Sequence, residues 1–312
     1  PSGQVMIAGG CNFPTDTPLA PGAQKKFYSG IYTADPASDV IDWTLAAEMP
    51  APMAYGATAT VASGAVLIGG SNASGLSTDV YHFDGTALTA LPSLPYGIDN
   101  AAAAAIGNKV YLAGGPGADG MPGNSLLCLD LDHQAKGWQE LKAMPGSPRV
   151  QPVVAASDGK LYVFGGFAGR TPKAEPTVST DGLCYDPKKN KWSAVAGPTE
   201  PDGKPLALGG GAAATLPNGD ILAIGGVNHD IFLAALIDQA PDYLSHPIEW
   251  YRFNPYTCVF NPKEGTWTVA EGHDTARAGA SLVVVPSRKE AIVTGGELKP
   301  RIRIPRPTRL TF

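Results

Sequence analysis

The sequence has few charged residues and no long hydrophobic run, and each absence excludes a class of protein. Only 16% of its 312 residues are charged, and the net charge is −5. No excess of basic residues is present to attract nucleic acid or an anionic membrane surface. The apolar stretches fall well short of the roughly 18 residues that a membrane-spanning helix needs. We therefore predict a globular protein with no nucleic-acid partner and no membrane span.

Cysteine is also scarce, and its spacing argues against a metal site. The four cysteines, Cys11, Cys128, Cys184 and Cys258, lie far apart, and no Cys-x-x-Cys pair occurs. Structural zinc sites usually contain such pairs, so we predict no metal. We interpret the four cysteines as small buried side chains. Their spacing leaves the disulfide state and the redox compartment open.

Glycine and proline are abundant instead, with 38 and 29 copies, which is typical of many turns and short strands. A short apolar run that ends in Gly-Gly occurs six times, at intervals of 45 to 70 residues. Self-similarity at about 50 residues is typical of kelch repeats. The glycine pairs are Gly9-Gly10, Gly69-Gly70, Gly114-Gly115, Gly165-Gly166, Gly225-Gly226 and Gly295-Gly296.

Other segments of the repeat support a propeller. Small residues precede most of the apolar runs, as in 54–61, and they suit the innermost strand, where blades converge. We therefore predict an all-β fold, a six-bladed kelch-type β-propeller that forms one domain over 1–312, with the first blade lacking its innermost strand. The longest interruption, 228–245, is interpreted as an inserted loop with some helical pattern. Three repeats place a tryptophan seven residues after an apolar residue, at Leu131 and Trp138, Tyr185 and Trp192, and Phe260 and Trp267.

Antiparallel pairing should bring two sets of residues to the same edge of each blade. One set follows the Gly-Gly pairs, and the other opens the first strand of each blade, so both should rim one mouth of the channel. A single asparagine there would be interpreted as a turn residue. Several amides together favour a polyhydroxylated ligand, because amides both donate and accept hydrogen bonds. The predicted substrate-binding residues are Asn12, Asn72, Tyr55, Arg149, Gln151 and Asn228.

The last repeat carries the most distinctive chemical groups. Glu297 directly follows Gly295-Gly296 and stands six residues before Arg303. A glutamate can exchange protons with a ligand hydroxyl, and an arginine can bind a carboxylate through two hydrogen bonds. If this segment is a strand, Arg301 and Arg303 share one face, and which of them faces the pocket stays open.

The stretch Gly-Glu-x-Lys-Pro-x-x-Arg resembles the signature of the N-acetylneuraminate epimerases, the kelch-propeller sialic acid mutarotases. Residues 148–151 with 158–166, 225–232 and 54–56 resemble further parts of that family. The matching segments occur in permuted order, which resembles a cyclically permuted branch. A closed ring of blades tolerates permutation because the cut only moves between neighbouring blades.

The resemblance implies an isomerase that interconverts the α and β anomers of N-acetylneuraminic acid or a related acidic sugar. Glu297 would then be the acid/base and Arg303 its catalytic partner, while Arg303 or Arg149 would pair with the substrate carboxylate. No metal or organic cofactor is implied, and the oligomeric state is left unknown. The family implies a periplasmic or secreted location, and because the chain starts at Pro1 and not at Met, we expect upstream processing.

Three other classes stay open. The first is a non-catalytic kelch propeller that binds a carbohydrate or a protein partner, because a fold does not determine a function. The second is a sialidase, although only residues 264–267 resemble its Ser-x-Asp-x-Gly-x-Thr-Trp repeat. The third is a copper radical oxidase of kelch architecture, which needs a tyrosine, a cysteine and paired histidines, whereas the five histidines here are scattered.

Overall fold

The protein was analysed as a computed structural model that describes residues 3–15, 17–20, 22–272 and 274–312. It divides into two compact units, residues 1–120 with 125–141, and residues 121–124 with 142–312. Across the described residues the strands form six larger antiparallel sheets, three in each unit, and three two-stranded ribbons. The predicted all-β fold class, a six-bladed β-propeller, is confirmed. The arrangement as one domain stays a prediction.

Among its described residues, the first unit contains fifteen strands and one short 3-10 helix at Gln134–Lys136. Its three sheets have the orders β1-β4-β5, β6-β7-β10-β11 and β12-β13-β14-β15, and its ribbons are β2-β3 and β8-β9. The strands are β1 (Val5–Ala8), β2 (Cys11–Asn12), β3 (Lys26–Phe27), β4 (Gly30–Ala34), β5 (Thr44–Glu48), β6 (Ala57–Val61), β7 (Gly64–Ile68), β8 (Ser71–Asn72), β9 (Gly75–Leu76), β10 (Val80–Phe83), β11 (Leu88–Ala90), β12 (Ala101–Ile106), β13 (Lys109–Gly114), β14 (Leu126–Asp130) and β15 (Gln139–Glu140).

The second unit adds the helix α1 (His229–Asp238) and 3-10 helices at Ile248–Tyr251 and Pro286–Arg288. Its sheets have the orders β16-β17-β20-β21, β22-β23-β24-β25 and β26-β27-β28, with β29 also paired to β27 and a ribbon β18-β19. The strands are β16 (Val153–Ser157), β17 (Lys160–Phe164), β18 (Phe167–Ala168), β19 (Thr177–Val178), β20 (Gly182–Asp186), β21 (Lys191–Val195), β22 (Ala212–Thr215), β23 (Ile221–Ile224), β24 (Tyr256–Asn261), β25 (Thr266–Glu271), β26 (Ala278–Val285), β27 (Glu290–Lys299), β28 (Ile302–Arg303) and β29 (Thr308–Thr311).

The segment interpreted as an inserted loop contains α1, so its helical pattern is confirmed. Within the described residues, no helix has both the length and the apolar character needed to cross a bilayer.

The first strands of neighbouring sheets pack against one another, which explains their small residues. In the first unit β6 contacts β12, and in the second unit β22 contacts both β16 and β26. Alanine, with its single methyl group, and glycine, which has no side chain, allow this close approach. The core lies between neighbouring sheets, where the second and third strands contribute large apolar residues. In the second unit, for example, the rings of Phe164 and Phe260 meet edge to face with centroids 5.2 Å apart.

Several of the Gly-Gly pairs join the backbones of neighbouring sheets. The N–H of Gly226 donates a hydrogen bond to the carbonyl of Arg277, just ahead of β26, at 3.0 Å. Gly225 has a φ of 66°, and a Cβ there would lie 2.3 Å from the same carbonyl oxygen. Gly69 stands in the same relation to the carbonyl of Ile98, again with 2.3 Å to a built Cβ. Only glycine combines this backbone conformation with this approach.

The spacing of seven between aromatic residue and tryptophan follows from hairpin register. Tyr185 lies directly opposite Trp192, and Phe260 lies directly opposite Trp267. The indole N–H of Trp267 donates to the carbonyl of Ala196, next to the outer strand of the preceding sheet, at 2.7 Å. The repeated tryptophan therefore also ties one sheet to the next.

Replacing Gly225 with alanine should destabilise the fold strongly. The new Cβ would both disfavour the positive φ and collide with the Arg277 carbonyl, so we expect a loss of about 3 kcal/mol or more in the free energy of unfolding. Gly265→Ala is the matched control, because Gly265 has a φ of 70° but nothing within 4 Å of a built Cβ. That variant should lose only about 1 kcal/mol in urea denaturation. Equal losses in the two variants would contradict the role of the close approach.

Candidate functional site

Glu297 and Arg303 face each other across the hairpin formed by β27 and β28. Glu297 pairs with Arg303 and Lys299 pairs with Ile302, so a β-bulge takes up one extra residue between Glu297 and Lys299. Directly opposed residues of antiparallel strands have Cβ atoms about 4.5–5.5 Å apart, which is within reach of long side chains. Nη1 of Arg303 lies 2.8 Å from Oε2 of Glu297. The structure therefore brings the two predicted catalytic residues together.

Arg301 occupies the turn of this hairpin and not a strand face. Its φ is 71°, and its backbone N–H donates to Oε2 of Glu297 at 3.1 Å. Which of the two arginines faces a pocket stays a prediction. The guanidinium of Arg303 pairs with the Glu297 carboxylate, and Arg301 contributes its backbone N–H. The side chains of Glu297 and Arg303 are 21% and 24% exposed, so a ligand in solution can reach the pair.

The segment between α1 and β24 packs beside this hairpin. Lys299 is only 5% exposed, and its Nζ donates to the carbonyl of Leu244 at 3.0 Å and to that of His246. The same ammonium lies 5.5 Å from the ring centroid of Tyr251. Burial, and then the charge of Glu297, raise the pKa of the Tyr251 phenol. This segment was missed as part of the site because it lies in a stretch that does not follow the repeat.

Asn228, predicted to bind substrate, caps the helix α1. Its Oδ1 accepts a hydrogen bond from the backbone N–H of Ile231 at 3.1 Å. Asparagine is among the most favoured residues at this position because its side chain satisfies an unpaired N–H of the first turn. The structure thus gives Asn228 a structural role.

Arg149 is buried with its own partner, which corrects its prediction as a substrate-binding residue. Its guanidinium has no exposed surface and donates to both carboxylate oxygens of Asp181, at 2.8 and 3.1 Å. It also donates to the carbonyls of Ser147 and Gly165. The sequence could not reveal this pairing, because Asp181 lies 32 residues away in a segment without a motif. Arg149 braces the Gly-Gly turn of its own sheet.

Gln151, also predicted to bind substrate, stands two residues further along, just ahead of β16. It has a φ of 49°, and its backbone carbonyl accepts from the N–H of Gly210 at 2.9 Å. Its side chain is half-buried. A positive φ is unfavourable for a residue with a Cβ, and such strain is typically found at functional positions.

In the first unit, Tyr55 holds the equivalent position ahead of β6 with a φ of 59°. Its hydroxyl oxygen accepts a hydrogen bond from Nζ of Lys25 at 2.8 Å and lies 3.3 Å from Sγ of Cys11. The same Nζ lies 4.9 Å from the Tyr55 ring centroid. Burial and the Cys11 contact raise the pKa of the phenol, and Lys25 opposes them. This arrangement is a polar cluster that contains one predicted residue.

The two predicted asparagines of the first unit hold loops in place. Oδ1 of Asn12 accepts from the hydroxyl of Tyr28 at 2.9 Å. The amide of Asn72 donates to the carbonyl of Pro52 at 2.9 Å and accepts from the N–H of Ser74 at 2.8 Å. Asn72 therefore uses both ends of its amide within the protein.

The cysteines are free thiols, and among the described residues no cluster of metal ligands accompanies them. Three cysteines are buried, Cys11 is half-buried, and none is in a disulfide. Burial raises the pKa of the Cys258 thiol to about 12, which keeps it protonated and unreactive. In the part of the chain that the structure describes, no group of three or more His, Cys, Asp or Glu residues is placed to hold a metal ion.

Known proteins are similar in sequence to this chain over most of its length. The family model described as N-acetylneuraminate epimerase matches residues 91–312. A protein of Salmonella paratyphi B named N-acetylneuraminate epimerase is 32% identical over 229 residues, which cover 69% of this chain and 56% of that protein. A protein of the same name from Haemophilus influenzae is 34% identical over 228 residues, covering 68% and 56%. The chain thus spans only about half the length of these relatives.

A solved structure, described as the structure of YjhT, is also similar. Its TM-score is 0.57 at 27% sequence identity, and the match covers 71% of this chain and 67% of that one. The cyclic permutation expected from the order of the motifs is not tested by these matches and stays a prediction.

Replacing Asp181 with alanine should show that Arg149 is structural. The variant would leave a buried guanidinium without its carboxylate, so we expect a loss of about 2–4 kcal/mol in the free energy of unfolding. Asp202→Ala is the control, since Asp202 forms an exposed pair with Lys204 at 2.9 Å. It should leave the free energy of unfolding close to that of the wild type in the same urea titration. An Asp181 variant as stable as the Asp202 variant would refute this role.

Proposed function

Because the chain belongs to the N-acetylneuraminate epimerase family, we propose that it is an isomerase that interconverts the α and β anomers of N-acetylneuraminic acid or a related acidic sugar. The observation that carries the proposal is the Glu297–Arg303 pair, with its 2.8 Å contact and its partial exposure. The pair combines a proton-exchanging group with a cation that can meet the substrate carboxylate.

Anomer interconversion opens the ring hemiketal and closes it on the other face. The Glu297 carboxylate removes the proton of the anomeric hydroxyl while the bond from the anomeric carbon to the ring oxygen breaks. The protonated Glu297 gives that proton to the ring oxygen, and the open-chain ketone forms. Rotation about the adjacent carbon–carbon bond presents the opposite face of the ketone, and the reverse steps close the ring. Protons and electrons balance without a redox partner or cofactor.

Two contacts suit Glu297 to this role. The guanidinium of Arg303 and the backbone N–H of Arg301 both favour the ionised carboxylate, which is the form that accepts a proton. The carboxylate is nevertheless partly exposed, so a substrate hydroxyl can reach it. One positioned acid/base typically accelerates a reaction by about 10²–10⁴-fold, which suits a reaction that also proceeds without an enzyme.

Arg303 has a second task when an acidic sugar binds. Its planar guanidinium can donate to a substrate carboxylate while it stays beside Glu297, which would orient the anomeric centre toward the base. We assign the substrate carboxylate to Arg303 and no longer to Arg149, because the guanidinium of Arg149 is buried against Asp181. The partner is thus a small acidic sugar, and we propose a periplasmic or secreted location from the family alone.

Replacing Glu297 with glutamine should remove most of the catalysis. Glutamine keeps the shape but cannot accept the proton, so we expect the rate of anomer exchange to fall by about 10²–10⁴-fold. Exchange spectroscopy by NMR on N-acetylneuraminate measures this rate directly. Glu264→Gln, in the turn between β24 and β25, is the matched control and should retain the wild-type rate. Sugar binding without any acceleration by the wild-type protein would instead support a non-catalytic propeller.

Replacing Arg303 with lysine should separate geometry from charge. Lysine keeps the positive charge but loses the planar pair of donors, so we expect kcat/KM for anomer exchange to fall by about 10-fold or more. Arg301→Gly is the comparison, because glycine suits the positive φ and retains the backbone N–H that contacts Glu297. It should stay close to wild type. A larger loss in Arg301→Gly than in Arg303→Lys would contradict the assignment.

A further inference from the structure

We infer that Tyr243 is a further substrate-contacting residue, held beside the Glu297–Arg303 pair by the buried side chain of Lys299. This inference rests on the proposed function and extends it to a residue on the inserted segment. Tyr243 lies outside the repeats, so the repeat pattern does not point to it.

Lys299 fastens the inserted segment to the strand that carries Glu297. It is two residues from Glu297 on β27, and its Nζ donates to the carbonyls of Leu244, at 3.0 Å, and His246. Burying an ammonium group is costly unless its donors are satisfied. Here two backbone carbonyls and the Tyr251 ring provide that environment. Among the described residues, Lys299 has no carboxylate within ion-pair distance. The ammonium group of Lys299 therefore forms its hydrogen bonds with the segment that follows Tyr243.

The ring of Tyr243 is held from two sides. The hydroxyl of Tyr251 donates to the backbone carbonyl of Tyr243. The Tyr251 ring meets the Tyr243 ring edge to face with centroids 5.3 Å apart, and the Trp250 ring does so at 6.0 Å. Trp250 itself stacks on His246 at 3.8 Å. These contacts restrict the ring and leave the hydroxyl as the polar group of Tyr243 that a ligand can use.

The Tyr243 side chain is half-buried, and within the described ranges no protein group forms a hydrogen bond with its hydroxyl. A restrained ring whose hydroxyl is not used by the protein leaves that hydroxyl available to a bound ligand. Burial, then the charges of Tyr251 and Glu297, raise the pKa of this phenol. The group therefore stays protonated at neutral pH and can donate a hydrogen bond.

A protonated phenol near the acid/base suits the proposed reaction. When the ring opens, negative charge develops on the ring oxygen before its new proton is in place. A hydrogen bond from Tyr243 would stabilise that charge, while the transferred proton passes through Glu297. Hydrogen bonds to oxygens that gain charge in the transition state lower the barrier more than bonds already complete in the ground state.

Tyr243→Phe tests the contact because it removes only the hydroxyl and keeps both ring contacts. We expect kcat/KM for N-acetylneuraminate anomer exchange to fall by about 10- to 100-fold, with an unchanged thermal midpoint. Tyr256→Phe, on β24 of the same unit, makes the same chemical change elsewhere and should leave the rate unchanged. If the wild-type protein is active and the two variants exchange anomers equally fast, the inference is wrong while the proposed function stands. If the wild-type protein is inactive, both fail.

Lys299→Met tests the positioning role. In the wild-type background it should lower kcat/KM by a factor similar to that of Tyr243→Phe. In the Tyr243→Phe background it should cost less than about twofold more, because the hydroxyl that it positions is already gone. A general loss of structure would lower the rate equally in both backgrounds, and that outcome would overturn the role of Lys299. Tyr251→Phe, which removes the hydrogen bond to the Tyr243 carbonyl, should repeat the pattern if the lysine variant folds poorly.

Discussion

The backbone hydrogen bond from Gly226 to the carbonyl of Arg277 is the contact on which the site depends. It sets the start of β26 against the preceding sheet, and the preceding glycine leaves no room for a Cβ beside that carbonyl. The side chain of Arg277 then continues the chain of contacts. Its buried guanidinium donates to the hydroxyl of Thr308 at 2.8 Å and lies 3.4 Å from the carbonyl of Gly295. Glu297 lies two residues after Gly295, so this junction between sheets helps to fix its position.

Buried and exposed arginines have different roles in the second unit. Arg149 and Arg277 are fully buried and hold glycine turns through backbone carbonyls, which fits the rule that buried charge must be satisfied internally. Arg303 differs because its own side chain is 24% exposed, whereas that of Arg149 has no exposed surface. Lys299 is intermediate, since its buried charge fixes the segment of Tyr243 and not a turn. Under the proposed function, stability and chemistry are thus assigned to basic side chains that lie in the same unit.

Local patterns in the sequence predicted the fold. Contacts between residues that are far apart in the sequence could not be predicted, and these contacts shape part of the candidate site. The repeated Gly-Gly pairs and the tryptophan spacing report on hairpins and neighbouring sheets, so six sheets could be predicted. Glu297 and Arg303 could be singled out because both lie in one short motif. The bulge and turn that place them opposite each other could not be predicted. Arg149 was misassigned because its partner Asp181 lies 32 residues away. Tyr243 was missed because the inserted segment has no repeat against which to compare it.

The most direct test of the central claim is a crystal structure of the Glu297→Gln variant with bound N-acetylneuraminate. The account predicts the anomeric hydroxyl within about 2.6–3.2 Å of the side chain at position 297, the distance needed for proton transfer. It also predicts the sugar carboxylate on the guanidinium of Arg303. A sugar bound with its anomeric centre away from position 297, or with its carboxylate on another cation, would contradict the claim that this hairpin performs the chemistry.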